Sequence, residues 1–218
     1  PTSVDPLTRE QMRQELNRLE GICNRLGLHA EAEISRNWLQ EQRSDQRRFY
    51  LPSEFPPVLE RSDSMRWREH FIKARRQYAA FLHDQAIQAA DSGDEATAYR
   101  LLWQVLREDP RHPQALKILG PLSSAVSARP QRRAMGTANE FSTLGDVQRW
   151  QSRHFEIYSR APAVAAQRLA SQLEQYYAVW TQCFYELWAP PGLLRARLAG
   201  EHTGPWPERG RLEVVYLA

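Results

Sequence analysis

The chain has 218 residues, 42% of them apolar, with 7 Trp, 8 Tyr and 7 Phe, which is enough for one or two folded domains and too apolar for a disordered chain. The formal net charge of +3 and pI near 9.1 come almost wholly from Arg, since Lys73 and Lys117 are the two lysines among 29 basic residues. There is no run of 18 apolar residues, so the sequence offers no membrane-spanning helix.

The first helix is expected over residues 8–27. Thr8 and Gln11 have the spacing of a capping box, Met12, Leu16, Leu19, Cys23 and Leu26 recur every three or four positions, and Gly27 ends the pattern. A second helix runs from about His29 to Gln40 and buries Ala32, Ile34 or Ser35, Trp38 and Leu39. Together they read as an eroded helical hairpin. From Gln42 to Arg61 the prolines Pro52, Pro56 and Pro57 forbid a continuous helix, leaving a partly extended connection pinned by Phe49, Tyr50 and Phe55.

A long helix follows from about Asp63 to Asp91, with Trp67, Phe71, Ala74, Tyr78, Phe81, Leu82, Ala86 and Ala89 on one stripe. Its second half opens a tetratricopeptide-like repeat over 82–120. Ala86 and Ala98 are small where two helices cross, Gly93 and Asp94 form the turn, Leu102 and Val105 fill the seam, and Asp109-Pro110 stops the second helix. Pro113 starts a further helix to about Leu119, and Leu82 to Leu116 is one period of 34 residues, the length of that repeat class. In such arrays the first helix of each hairpin lines a concave face, so His83, Ile87 and Ala90 are the candidate groove for a protein or peptide partner.

Apolar periodicity then lapses over 123–149, which reads as a linker between a helical region (1–122) and a second unit (150–218). Phe155 to Tyr158 alternates as a strand. Pro162 opens a helix of about 27 residues carrying Val164, Leu169, Leu173, Tyr176, Val179 or Trp180, Phe184 and Leu187. After a Gly/Pro-rich loop over 200–210, residues 212–217 form a strand. The fold class is therefore mainly α: helical hairpins followed by a partial α/β unit whose strand, helix and strand imply a parallel crossover. A sheet of two strands is incomplete, so this unit is expected to be truncated or completed by another chain.

No catalytic motif is complete. The six histidines contain no pair at i and i+4, and the ten glycines form no nucleophile elbow, Walker loop or dinucleotide fingerprint. Metal binding by this chain is not expected. Cys23 and Cys183 stand 160 residues apart, which suits two buried thiols and leaves a long-range disulfide open; Cys183, beside Phe184, reads as inert. The basic clusters Arg47-Arg48, Arg66/Arg68, Arg75-Arg76 and Arg132-Arg133 lie near the aromatics Phe49, Trp67 and Tyr78, but Trp67, Phe71 and Tyr78 share a core stripe and acidic residues are interspersed. The clusters therefore read as solvated helix faces and no nucleic-acid partner is expected.

The run Cys23 to Leu28 with Trp38 after it, the segment Phe49-Tyr50-Leu51-Pro52, the repeat, and above all His154-Phe155-Glu156-Ile157 followed by a helix ending Cys183-Phe184 together resemble a bacterial family of unknown function. In that family, degenerate helical repeats precede a gluzincin-like metallopeptidase domain. The resemblance implies that 154–159, 162–188 and 212–217 open a zincin-like unit whose zinc-binding HExxH helix would lie beyond Ala218, so that this chain is a non-catalytic fragment with no cofactor of its own. It also implies a zinc site only in that missing part, and export is frequent for proteins of this layout. The residues themselves leave the compartment open, because a signal segment before Pro1 would not be seen.

Overall fold

Thr8 starts the first helix as expected: its hydroxyl accepts from the Gln11 N–H at 3.3 Å while the Gln11 side chain accepts from the Thr8 N–H at 2.8 Å. The computed structural model describes residues 6–43, 48–58, 60–120, 131–133, 148–202, 206 and 211–216. Among them α1 (Arg9–Arg25) and α2 (His29–Arg43) form a hairpin around Gly27, whose φ of 68° needs a residue without Cβ. Its buried residues are Met12, Leu16, Leu19, Cys23, Ala32 and Leu39. Ser35, not Ile34, faces inward, because its hydroxyl is satisfied by the Glu31 carbonyl and the Trp67 indole N–H.

The long helix α3 (Ser62–Asp91) packs against α1 and α2 and, through the half that follows Arg75, against α4 (Glu95–Glu108), whose last residue Glu108 reaches Arg75. Gly93, at φ 90°, makes the turn, and Asp94 caps α4 by accepting from the Thr97 N–H at 3.0 Å. Ala86 and Ala98 are both fully buried, so the backbones approach closely where the side chains are small. His112 caps the short α5 (Pro113–Leu119) through Nδ1, which accepts from the Ala115 N–H.

The region expected to be a linker falls largely outside the described residues. Its described parts are strands, not linker: β1 (Gln131–Arg133) and β2 (Gln148–Gln151) pair antiparallel, and β2 pairs antiparallel with β3 (Phe155–Ser159). β3 pairs in parallel with β4 (Leu212–Tyr216), with Ile157 opposite Val214, as the crossover requires. The sheet order is β1-β2-β3-β4. These two strands escaped the sequence pattern because β1 is only Gln-Arg-Arg and β2 carries one buried ring, Trp150.

The crossover helix differs from expectation in extent and in facing. It runs as α6 (Ala163–Cys183), breaks at Phe184, and resumes as α7 (Tyr185–Trp188), followed by α8 (Leu193–Leu198). Its buried stripe is Ala166, Ala170, Glu174, Ala178 and Gln182; of the expected stripe, Leu169 and Leu173 pack partly buried against the sheet core, whereas Val164, Tyr176, Trp180, Phe184 and Leu187 face solvent. Close approach of helix to sheet demands small residues, and the two long polar ones are buried because each is fully engaged. Glu174 meets His154, and Gln182 brackets the backbone of Tyr50, accepting from its N–H at 2.9 Å and donating to its carbonyl at 2.8 Å.

As a result α6 belongs to two cores. Its first half covers Trp150, Phe155 and Ile157 of the sheet, while Ala178 and, beyond it, Tyr185, Leu194 and Trp206 join the helical core of α1 to α5. The Tyr99 hydroxyl donates to Thr181, Tyr185 donates to Glu95, and both Arg197 and Trp206 donate to the Ile118 carbonyl. Cys23 is buried, Cys183 is only partly buried, and both are free thiols.

Candidate functional site: a cleft beside the long helix

Residues 48–58 run without regular structure along α3, and their prolines explain why. Side chains hold this segment in place. Arg75 donates to the carbonyls of Ser53 at 3.2 Å and Glu54 at 3.4 Å, Arg68 donates to the Pro56 carbonyl at 2.6 Å, and Gln182 clamps Tyr50. Phe55 lies under two guanidinium groups, 4.8 Å from Arg75 and 5.2 Å from Arg76. Between this fixed wall and α3 opens a cleft of about 1050 Å³, which also reaches Pro110 and Arg111 in the turn between α4 and α5.

Beneath the wall, Arg75 and Glu108 form a buried ion pair, Nε to Oε2 3.5 Å. Glu108 also accepts from the Trp38 indole N–H at 3.0 Å, and Arg75 also donates to the Arg107 carbonyl. Burial pushes the Glu108 carboxyl up, and the Arg75 charge, the Trp38 hydrogen bond and Arg107 pull it back. Arg75 was expected on a solvated face. Its position four residues after Phe71 and three before Tyr78 instead puts it inside the apolar stripe, where Glu108 neutralises it.

Two histidine arrangements lie elsewhere. The Glu174 carboxylate receives the His154 backbone N–H at 2.8 Å and stands 2.7 Å from its Nδ1, with the ring stacked on Tyr177 at 3.9 Å. Burial pushes this carboxyl up, yet the His154 and Ser152 hydrogen bonds prevail and hold it below the usual carboxylate range. An ionised carboxylate can only accept, so Nδ1 carries the proton and the pair ties the β2–β3 turn to α6. His83 and His112 face each other with ring centroids 5.0 Å apart. Burial lowers both, and the neighbouring His83 helps to bring His112 down to about 4.

No family model, curated protein or solved structure matches the chain.

His83, Ile87 and Ala90 share one face of α3. Ala90 is buried on the lining of a smaller cavity with Tyr185 and Arg195, Ile87 is half-buried, and His83 is half-buried against His112. Among the described residues no cluster of three or more His, Cys, Asp or Glu side chains is placed to hold a metal ion. None of the described helices is long and apolar enough to cross a membrane. Of the cleft residues, Lys73 and Arg111 belong to no sequence motif, and Arg76 stands in one of the basic clusters expected on a solvated face. The signal available was the proline run at 56–57 opposite a long helix, which marks an extended strand of chain free to lie along a helical face.

Proposed function

We propose that the chain is a non-catalytic helical scaffold that holds an extended segment of a partner protein in the cleft beside α3 and braces the small sheet against the helical array. The observation that carries this reading is the wall at 53–58, fixed by Arg75 and Arg68 before any partner arrives. A preorganised wall lowers the ordering cost of binding. The brace is α6, whose two halves sit in two different cores.

A photo-crosslinking amino acid at Val58, which is 76% exposed at the cleft, tests the reading against the same group at Val164, which is 59% exposed on α6. Mass spectrometry should identify one recurring peptide trapped from Val58 and absent from Val164. The same yield from both sites, or none from Val58, rejects the scaffold.

A second reading, an accessory region attached to a zinc-peptidase-like domain, is favoured by the parallel β3-α6-β4 unit. It requires metal-ligand histidines in the reading frame after Ala218. A continuing frame without them removes it.

A further inference from the structure

We infer that the segment held in this cleft is acidic: an extended stretch of a partner protein whose carboxylates meet Lys73, Arg76 and Arg111. The inference rests on the scaffold reading and names the partner's chemistry. Four cationic side chains, Arg68, Lys73, Arg76 and Arg111, line the cleft against two anionic ones, Glu54 and Glu69, so the site is positive on balance. The Lys73 ammonium and the Arg111 guanidinium hold no ion pair among the described residues. Arg76 touches Asp109 only at 4.0 Å and is half exposed, which leaves its remaining donors available.

The spacing of these charges fits an extended chain. Arg68 to Arg76 is eight residues of helix, about 12 Å at 1.5 Å per residue. An extended peptide covers that length in about four residues at 3.3 Å each. Between the cations the base is apolar, with Ile72 from the helix and Phe55 from the wall, so aliphatic side chains have a place between the carboxylates. Such complementarity steers encounter and fixes register. A single-stranded nucleic acid would instead draw on exposed rings on which its bases stack. The neighbouring rings Trp67, Phe71 and Tyr78 are buried in the core.

Fluorescence anisotropy with the full 218-residue chain tests this. The probes are a short labelled peptide alternating glutamate and leucine, the same peptide with glutamine for glutamate, and a labelled single-stranded oligonucleotide. The glutamate peptide should bind at least about tenfold more tightly than the glutamine peptide, and more weakly as salt rises. The double variant Lys73→Glu/Arg111→Glu, at exposed positions, should lose about tenfold for that peptide while its circular dichroism and melting stay unchanged. Equal binding of the two peptides, no effect of the double variant, or tighter binding of the oligonucleotide would overturn the inference. A recurring segment without carboxylates trapped at Val58 overturns the acidic partner and leaves the scaffold standing, whereas failure to trap any segment there removes both.

Discussion

Arg75 and Glu108, 33 residues apart in sequence, meet as an ion pair in which neither side chain has any solvent-accessible surface. Arg75 is also the residue that ties down Ser53 and Glu54, so one guanidinium neutralises a core carboxylate and positions the wall of the cleft. Stability and the candidate site are thereby joined in one residue.

Removing one partner of a buried pair leaves the other charge uncompensated. Arg75→Ala should therefore cost about 3–5 kcal/mol in urea unfolding. The double variant Arg75→Met/Glu108→Leu should cost clearly less than the sum of its single changes, because it leaves no buried charge behind. Hydrogen exchange at 53–58 should nevertheless rise in both Arg75 variants, since the carbonyls of Ser53 and Glu54 lose their donor. Additive costs, or unchanged exchange, would mean that the pair does not anchor the wall.

His112 gives the fold a pH dependence whose sign is fixed by its environment. Its folded value lies at about 4, below the ordinary 6.5, because burial and then the neighbouring His83 disfavour its charge. The unfolded chain thus binds more protons between these values. The stabilising effect is fully present above about 6.5 and is lost as pH falls towards 4, by about 2 kcal/mol once partial exposure is discounted. His112→Asn keeps a capping side chain and removes the titration. The variant should show a flatter melting temperature between pH 6.5 and 4.5, and a slope identical to the parent would assign the dependence to other groups.

The two thiols should separate by reactivity. Burial, reinforced by the Glu31 carboxylate, pushes the Cys23 thiol up to about 11, so almost none of it is thiolate at neutral pH. Iodoacetamide should therefore label the native protein at Cys183, which is partly exposed, and reach Cys23 only on unfolding. Peptide mass spectrometry after brief alkylation reads this directly. Rapid native labelling of Cys23 would contradict its burial.

The capping box, the turn at Gly93 and Asp94, the long helix and the parallel strand pair were legible in the sequence because each is a local pattern with a local physical cause. Three features were not. Glu108 sits at a helix end beside Asp109 and Pro110, where a carboxylate is ordinarily solvated, and only the long-range approach of Arg75 and Trp38 buries it. His154 and Glu174 are 20 residues apart and meet only once the turn before β3 folds back on α6. The cleft depends on where an irregular segment lies, and such a segment has no periodicity to read.

Beyond Leu169 and Leu173, which pack against the sheet core, the facing of α6 departs from its large apolar stripe for a reason that can be tested. A search for large apolar side chains selects Tyr176, Trp180, Phe184 and Leu187, while close packing on the sheet selects the small residues of the opposite stripe. Ala170 has no exposed surface and faces Phe155 and Ile157, whereas Tyr176 is 70% and Leu187 73% exposed. Ala170→Leu should therefore overpack the sheet interface and cost about 1–3 kcal/mol. Tyr176→Ser and Leu187→Ser should each change stability by no more than about 0.5 kcal/mol. Denaturant unfolding of the three variants decides between the two faces. If Leu at 170 is tolerated while Ser at 176 or 187 destabilises by more than about 1 kcal/mol, the helix packs through its aromatic stripe; the brace between the two cores would then have to be redrawn around those rings.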